Sequence, residues 1–104
     1  KIPAVLMARF SLHDLPGAGR VVNLQSDFLD WADTRVVAPL VPMDQSPPPA
    51  KHLNPLVTLD GEQFVLIIQS MAAVRASALG PAVGDLSGHQ DEITRAVDMV
   101  FQGF

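Results

Sequence analysis

A mainly β domain closed by one C-terminal helix is predicted by three features of the sequence. Asp14-Leu15-Pro16-Gly17-Ala18-Gly19 separates two runs that alternate polar and apolar residues, and Asp60-Gly61 separates two further apolar runs. After Ser87 the apolar residues recur instead at spacings of three and four. The first two patterns are hairpin signatures and the third is that of an amphipathic helix.

Taken in order, Arg9–His13 and Val21–Gln25 alternate at period two and are expected to pair as strands. Pro16 sets φ near −65°, while Gly17 and Gly19 reach positive φ without steric cost, so the connection carries turn chemistry. Arg35–Val41 is a third β-branched run, but Pro39 and Pro42 have no N–H to donate, which predicts an edge or bent strand. Met43–Asn54 contains Pro47-Pro48-Pro49 and is expected to be an extended, solvated loop. Leu56–Leu59 and Glu62–Ile68 flank Asp60-Gly61, the pair suited to the two positive-φ positions of a type I′ turn. Phe64–Ile68 does not alternate, as expected of a central strand covered on both faces, with a continuation toward Val74.

Ser87 and Gln90 have capping-box spacing, which predicts a helix starting near Gly88. Ile93, Ala96, Val97, Val100, Phe101 and Phe104 make one apolar stripe, and Asp91, Thr94, Arg95 and Asp98 take the opposite face. Asp91 and Arg95 stand at the i,i+4 spacing of an ion pair.

A chain of 104 residues is sized for one domain spanning 1–104, and 48% hydrophobic against 17% charged residues is the composition of a globular core. Lys1–Leu6 reads as an extension ahead of a native start at Met7. Seven basic against eleven acidic residues give a net charge of −4, the opposite of the basic stripe that displaces counterions from DNA or RNA, so no direct nucleic-acid contact is expected. The longest apolar runs, Ile2–Ala8 and Phe64–Ile68, fall short of the about 20 residues of a spanning helix, and no membrane role is expected. Cysteine is absent, which removes disulfides, thiolate zinc sites and thiol nucleophiles and sits with a cytoplasmic location.

No cofactor or metal site is expected either. His13, His52 and His89 lack the spacing of a helical zinc site and read as surface or loop imidazoles. Asp27, Asp30 and Asp33 lack the alternation and central Gly of a calcium loop and read as a solvated turn. Ser26, Ser70 and Ser77 stand outside any G-x-S-x-G frame, and Pro16–Gly19 lacks the Lys-Ser/Thr of a phosphate loop. The residues therefore predict a binding protein with no catalytic group. What they leave over is apolar: Phe28, Leu29, Trp31, Phe101 and Phe104 must be placed by a small domain. Two readings are open, a tail packed within the chain or an exposed apolar patch, which when contiguous marks a contact site.

Several short motifs, in this order, resemble the CcdB toxins of bacterial toxin–antitoxin modules. They are Val22-Asn23-Leu24-Gln25-Ser26-Asp27, Val36–Pro42, Met71-Ala72-Ala73-Val74, Gly84-Asp85-Leu86-Ser87 and the terminal Phe101-Gln102-Gly103-Phe104. The resemblance runs from about Met7 to the end. It implies a homodimer with an SH3-like, partly open barrel: a five-stranded antiparallel sheet, a small three-stranded sheet and a C-terminal helix. It also implies a toxin that binds the A subunit of DNA gyrase, traps the topoisomerase, performs no reaction itself, and is neutralised by a cognate antitoxin.

Carried over by position, the gyrase contacts implied by the resemblance are Phe28, Leu29, Asp98, Gln102, Gly103 and Phe104. Gln102 departs from the pattern, because the family has Trp there, and an indole stacks on guanidinium planes as an amide does not. Trp31, two residues past Leu29, is expected to be a buried anchor at the base of its loop, with a substitute partner-facing aromatic as the alternative. The antitoxin is expected at the 13–19 turn and the 43–50 loop, with His13, Asp14, Met43 and Asp44 as candidate contacts. Two other readings stay open: a dimer of the same fold that binds antitoxin but has lost gyrase poisoning, and a MazF-type ribonuclease. The second is opposed by the missing early Gly-Asp strand opening, the missing Arg-Pro-Val run and the acidic balance.

Overall fold

Two tight turns organise the sheet. Gly17 and Gly19, at φ +84° and +85°, reverse the chain between β1 (Ser11–Leu15) and β2 (Gly19–Asn23), which pair antiparallel with Leu12 opposite Val22. Asp60 and Gly61, at φ +51° and +81°, do the same between β4 (Leu56–Leu59) and β5 (Glu62–Leu66). Both hairpins form at the sequence positions where turn chemistry places them. The computed structural model describes residues 8–104, so the expected extension Lys1–Leu6 and the start at Met7 lie outside the described residues. The first strand begins at Ser11 and not at Arg9, because Phe10 takes a positive φ of 72°. That turn is held by bonds from Phe10 N to the Asn23 carbonyl (2.7 Å) and from Leu86 N to the Phe10 carbonyl (2.8 Å).

The remaining strands are β3 (Thr34–Pro42), β6 (Ala72–Arg75) and β7 (Ala82–Asp85), and the chain closes with α1 (Gln90–Gln102). One antiparallel set runs β6-β3-β2-β1-β7 and a second β4-β5-β3, so that five strands and three strands share β3. This is the five-plus-three arrangement of an SH3-like open barrel with one helix.

β3 is no edge strand: its first half pairs with β6 and its last three residues with β5, while β2 lies along the other side. Pro39 falls where one partner gives way to the next, between the last β6 pair at Val37 and the first β5 pair at Leu40, so its missing N–H lies at a junction of two ladders, and its carbonyl accepts from Ile67 N at 2.9 Å. β5 stops at Leu66. A 3₁₀ turn at Ile68–Ser70 breaks the expected continuation toward Val74 and lets β6 pair elsewhere on β3.

The core lies between the strand sets and α1. Leu12, Val22, Leu40, Leu66, Ile68, Ile93 and Ala96 are among its members, each essentially sealed from solvent. Burying one such aliphatic side chain of Leu or Ile size contributes about 1.5–3 kcal/mol. Val21, Val37 and Leu79 form a smaller cluster; adjacent Val21 and Val22 point to opposite sides of the sheet.

Helix α1 follows a different entry from the one its spacing predicts. Ser87 Oγ donates to Asp85 Oδ2 (2.9 Å) and Ser87 N to Asp85 Oδ1 (3.0 Å), so no capping box forms. A 3₁₀ turn at Ser87–His89 precedes the helix. Only the first part of the apolar stripe is internal: Ile93 and Ala96 are buried and Val97 is packed against the core, but Val100, Phe101 and Phe104 face outward. Asp91 and Arg95 form no ion pair among the described residues.

Candidate interaction surfaces

The segment between β2 and β3 is short, acidic and aromatic, and its backbone is held from several sides. Ser26 caps a 3₁₀ turn at Asp27–Leu29 by accepting from Phe28 N at 3.1 Å. Gln25 Nε2 donates to the carbonyls of Leu29 (3.2 Å) and Thr34 (3.0 Å), and Gln25 Oε1 accepts from Val36 N. From beneath, the buried Arg35 guanidinium donates to the carbonyls of Ala32 (2.6 Å), Thr34 (2.9 Å) and Asp30 (2.9 Å). A buried cation is tolerable when its donors are satisfied, and here backbone dipoles satisfy them.

This scaffold pushes its apolar side chains outward. Phe28 is 90% exposed, Leu29 43% and Trp31 76%. Trp31 is therefore not the buried anchor expected of it; the buried side chain that supports the loop's backbone is Arg35. Asp27 Oδ1 accepts from Arg9 N at 2.7 Å, which ties the loop to the segment before β1. Among the described residues no group of three His, Cys, Asp or Glu is placed to hold a metal ion.

The second apolar surface is the end of α1. Gly103 adopts φ +81° as a left-handed cap, and its N–H donates to the Met99 carbonyl at 3.0 Å. Phe101 and Phe104 project at 71% and 78% exposure, Gln102 is exposed beside them, and Asp98 is half-buried one turn earlier. Of the six gyrase contacts implied by the resemblance, all but Asp98 are exposed. They fall on two elements, Phe28 and Leu29 on the β2–β3 loop and the other four on the helix end.

The two segments assigned to an antitoxin are brought together. Asp14, Gly19 and Arg20 of the first hairpin and Gln45 of the turn after β3 line one groove of about 470 Å³, floored by Leu40 and Phe64. Asp14 faces Arg20 at 3.6 Å, Asp44 is exposed and Met43 is half-buried. His13 does not join them. It is fully buried, Nε2 lies 2.7 Å from Ser11 Oγ and Nδ1 lies 2.8 Å from the Gly80 carbonyl, so both ring nitrogens are used inside the chain. The reading of His13 as a surface imidazole and a candidate contact is corrected: β1 turns it inward and the segment around Leu79 and Gly80 covers it.

Sequence reasoning missed Arg35 and Gln25 as supports of the apolar loop. The available signal was Arg35 itself, a lone cation opening a β-branched run just after a polar turn.

The family model described as CcdB protein matches residues 9–103. Among solved structures, an endoribonuclease in complex with its cognate antitoxin from a mycobacterial species superposes with a TM-score of 0.71 at 10% identity, covering 90% of this chain and 93% of that one. A structure described as an Mtb toxin gives a TM-score of 0.69 at 14% identity, covering 86% and 99%. The expectation of a protein without enzymatic activity is corrected by the first of these. An endoribonuclease is built on this architecture, so the absence of a familiar nucleophile motif does not exclude activity, and at such identities the likeness carries the fold alone.

Proposed function

The chain belongs to the CcdB family, and on that premise we propose that it is the toxin of a toxin–antitoxin module, acts on the A subunit of DNA gyrase, and is neutralised by a cognate antitoxin. The observation that carries the reading is the outward display of Phe28, Leu29 and Phe104 at positions where the family presents its gyrase contacts. Exposed aromatics on a braced loop and a capped helix end are low-entropy anchors for a protein partner. A homodimer would present each of them twice, matching a two-fold partner. The groove between Asp14 and Gln45 is the proposed antitoxin seat.

The deciding experiment uses the full chain with gyrase A, measuring binding and the inhibition of supercoiling. Binding with inhibition at micromolar toxin supports the proposal; neither effect at that concentration rejects it. One observation favours a second reading, in which antitoxin binding survives but gyrase poisoning does not. Gln102 is exposed where the family carries an indole. Normal growth on induction without antitoxin, together with retained antitoxin binding, would select that reading.

A further inference from the structure

We propose that the cleft between residues 49–56 and the outer face of α1 is a binding site for a small carboxylate with an apolar body. The cleft has a volume of about 460 Å³, within the range of about 300–1,000 Å³ usual for small-molecule sites. Its apolar wall is made by Pro49, Ala50, Pro55 and Leu56, and Lys51, His52 and Arg95 also line it.

The wall is preformed. Leu53 N and Asn54 N both donate to the Ala50 carbonyl, at 3.1 and 3.0 Å, closing a tight loop in which His52 takes φ +66°. Asn54 fastens that loop to the sheet. Its Oδ1 accepts from Ala50 N (2.9 Å), and its Nδ2 donates to the Leu66 carbonyl (3.2 Å) and Gln69 Oε1 (2.8 Å). A side chain at positive φ costs conformational energy, and surrounding bonds such as these are what hold it there.

The charges are arranged for an anion. Neither Lys51 nor Arg95 has a carboxylate within ion-pair distance among the described residues, although the chain as a whole is acidic. Glu92 also lines the cleft, its Oε1 3.2 Å from His89 Nδ1, so the lining sets two cations against one carboxylate and keeps a net positive charge. Two free cations above a proline-walled floor suit one carboxylate carried on a hydrocarbon body. A phosphate dianion would ask for more donors and leave the floor uncovered.

The test is an NMR titration of the full chain with 4-phenylbutyrate, compared with its neutral amide and repeated on a K51Q/R95Q variant. Both side chains are exposed, so the variant should keep the wild-type melting temperature. The carboxylate is expected to shift amides within 50–56 and 92–95 and to bind about tenfold or more tighter than the amide. That preference should vanish in the variant. Equal affinity for acid and amide, shifts confined to other surfaces, or no shift at millimolar probe would overturn the proposal. Should the variant fail to fold, the acid–amide comparison on the wild-type chain decides alone. Neither gyrase nor antitoxin enters the readout, so the result is independent of the function proposed above.

Discussion

His13 and Gly80, 67 residues apart, are joined by a 2.8 Å hydrogen bond from the imidazole Nδ1 to the carbonyl oxygen. A carbonyl only accepts, so Nδ1 carries the proton, and in the neutral ring Nε2 accepts from Ser11 Oγ. The Gly80 N–H in turn donates to the Asp14 carbonyl at 3.0 Å, so both backbone polar groups of Gly80 are spent on β1. This clasp holds the connection between β6 and β7 over the sheet. His13→Ala leaves a hydroxyl and a carbonyl without these partners and opens a cavity, and is expected to cost about 2–4 kcal/mol. Urea denaturation of the two proteins measures it; a loss below half a kcal/mol, on the order of an ordinary surface change, would refute the clasp.

Arg35 braces the β2–β3 loop through three backbone carbonyls. Arg35→Lys keeps the charge but loses the planar fork, and Arg35→Ala loses both. Expected destabilisation is about 1–2 kcal/mol for Lys and about 2–4 kcal/mol for Ala. Amide hydrogen exchange within 29–34 should speed up in both variants. Unchanged exchange would mean that the loop stands without its guanidinium.

Phe28, Trp31 and Phe104 are exposed and give the core little. Phe28→Ala and Phe104→Ala are each expected to leave the melting temperature within about 2 °C while weakening gyrase A binding about tenfold or more. Trp31→Ala separates two roles for the exposed indole. Weaker gyrase binding identifies a contact, and an affinity equal to wild type retires Trp31 as a substitute for the missing family aromatic.

Gln102→Trp restores the aromatic that the family places at this position. If the chain binds gyrase through its helix end, the variant should bind about tenfold tighter, since an indole adds a stacking face for guanidinium groups. Equal affinity would place the contact away from residue 102.

Gly61 sits at φ +81° with open space around the position a Cβ would take. Gly61→Ala therefore tests backbone strain without a clash, and is expected to cost about 1 kcal/mol. Chemical denaturation reads it directly, and a stabilised variant would contradict the turn assignment.

What the sequence determined by itself was local. Asp60-Gly61 and Pro16–Gly19 specified their turns because positive φ and fixed φ are properties of single residues. The unbroken apolarity of Phe64–Leu66 marked a strand buried on consecutive positions, again from neighbours in the chain. The tertiary structure alone decided which elements cover which. His13 became internal because residues near Gly80 fold over it, while Trp31 stays external on a loop whose backbone carbonyls are tied to the buried Arg35. β3 became central because two separate strands share one of its edges. The apolar stripe of α1 leaves the core after Val97, with Val100, Phe101 and Phe104 exposed, because a helical period records which residues share a face but not where the covering surface stops.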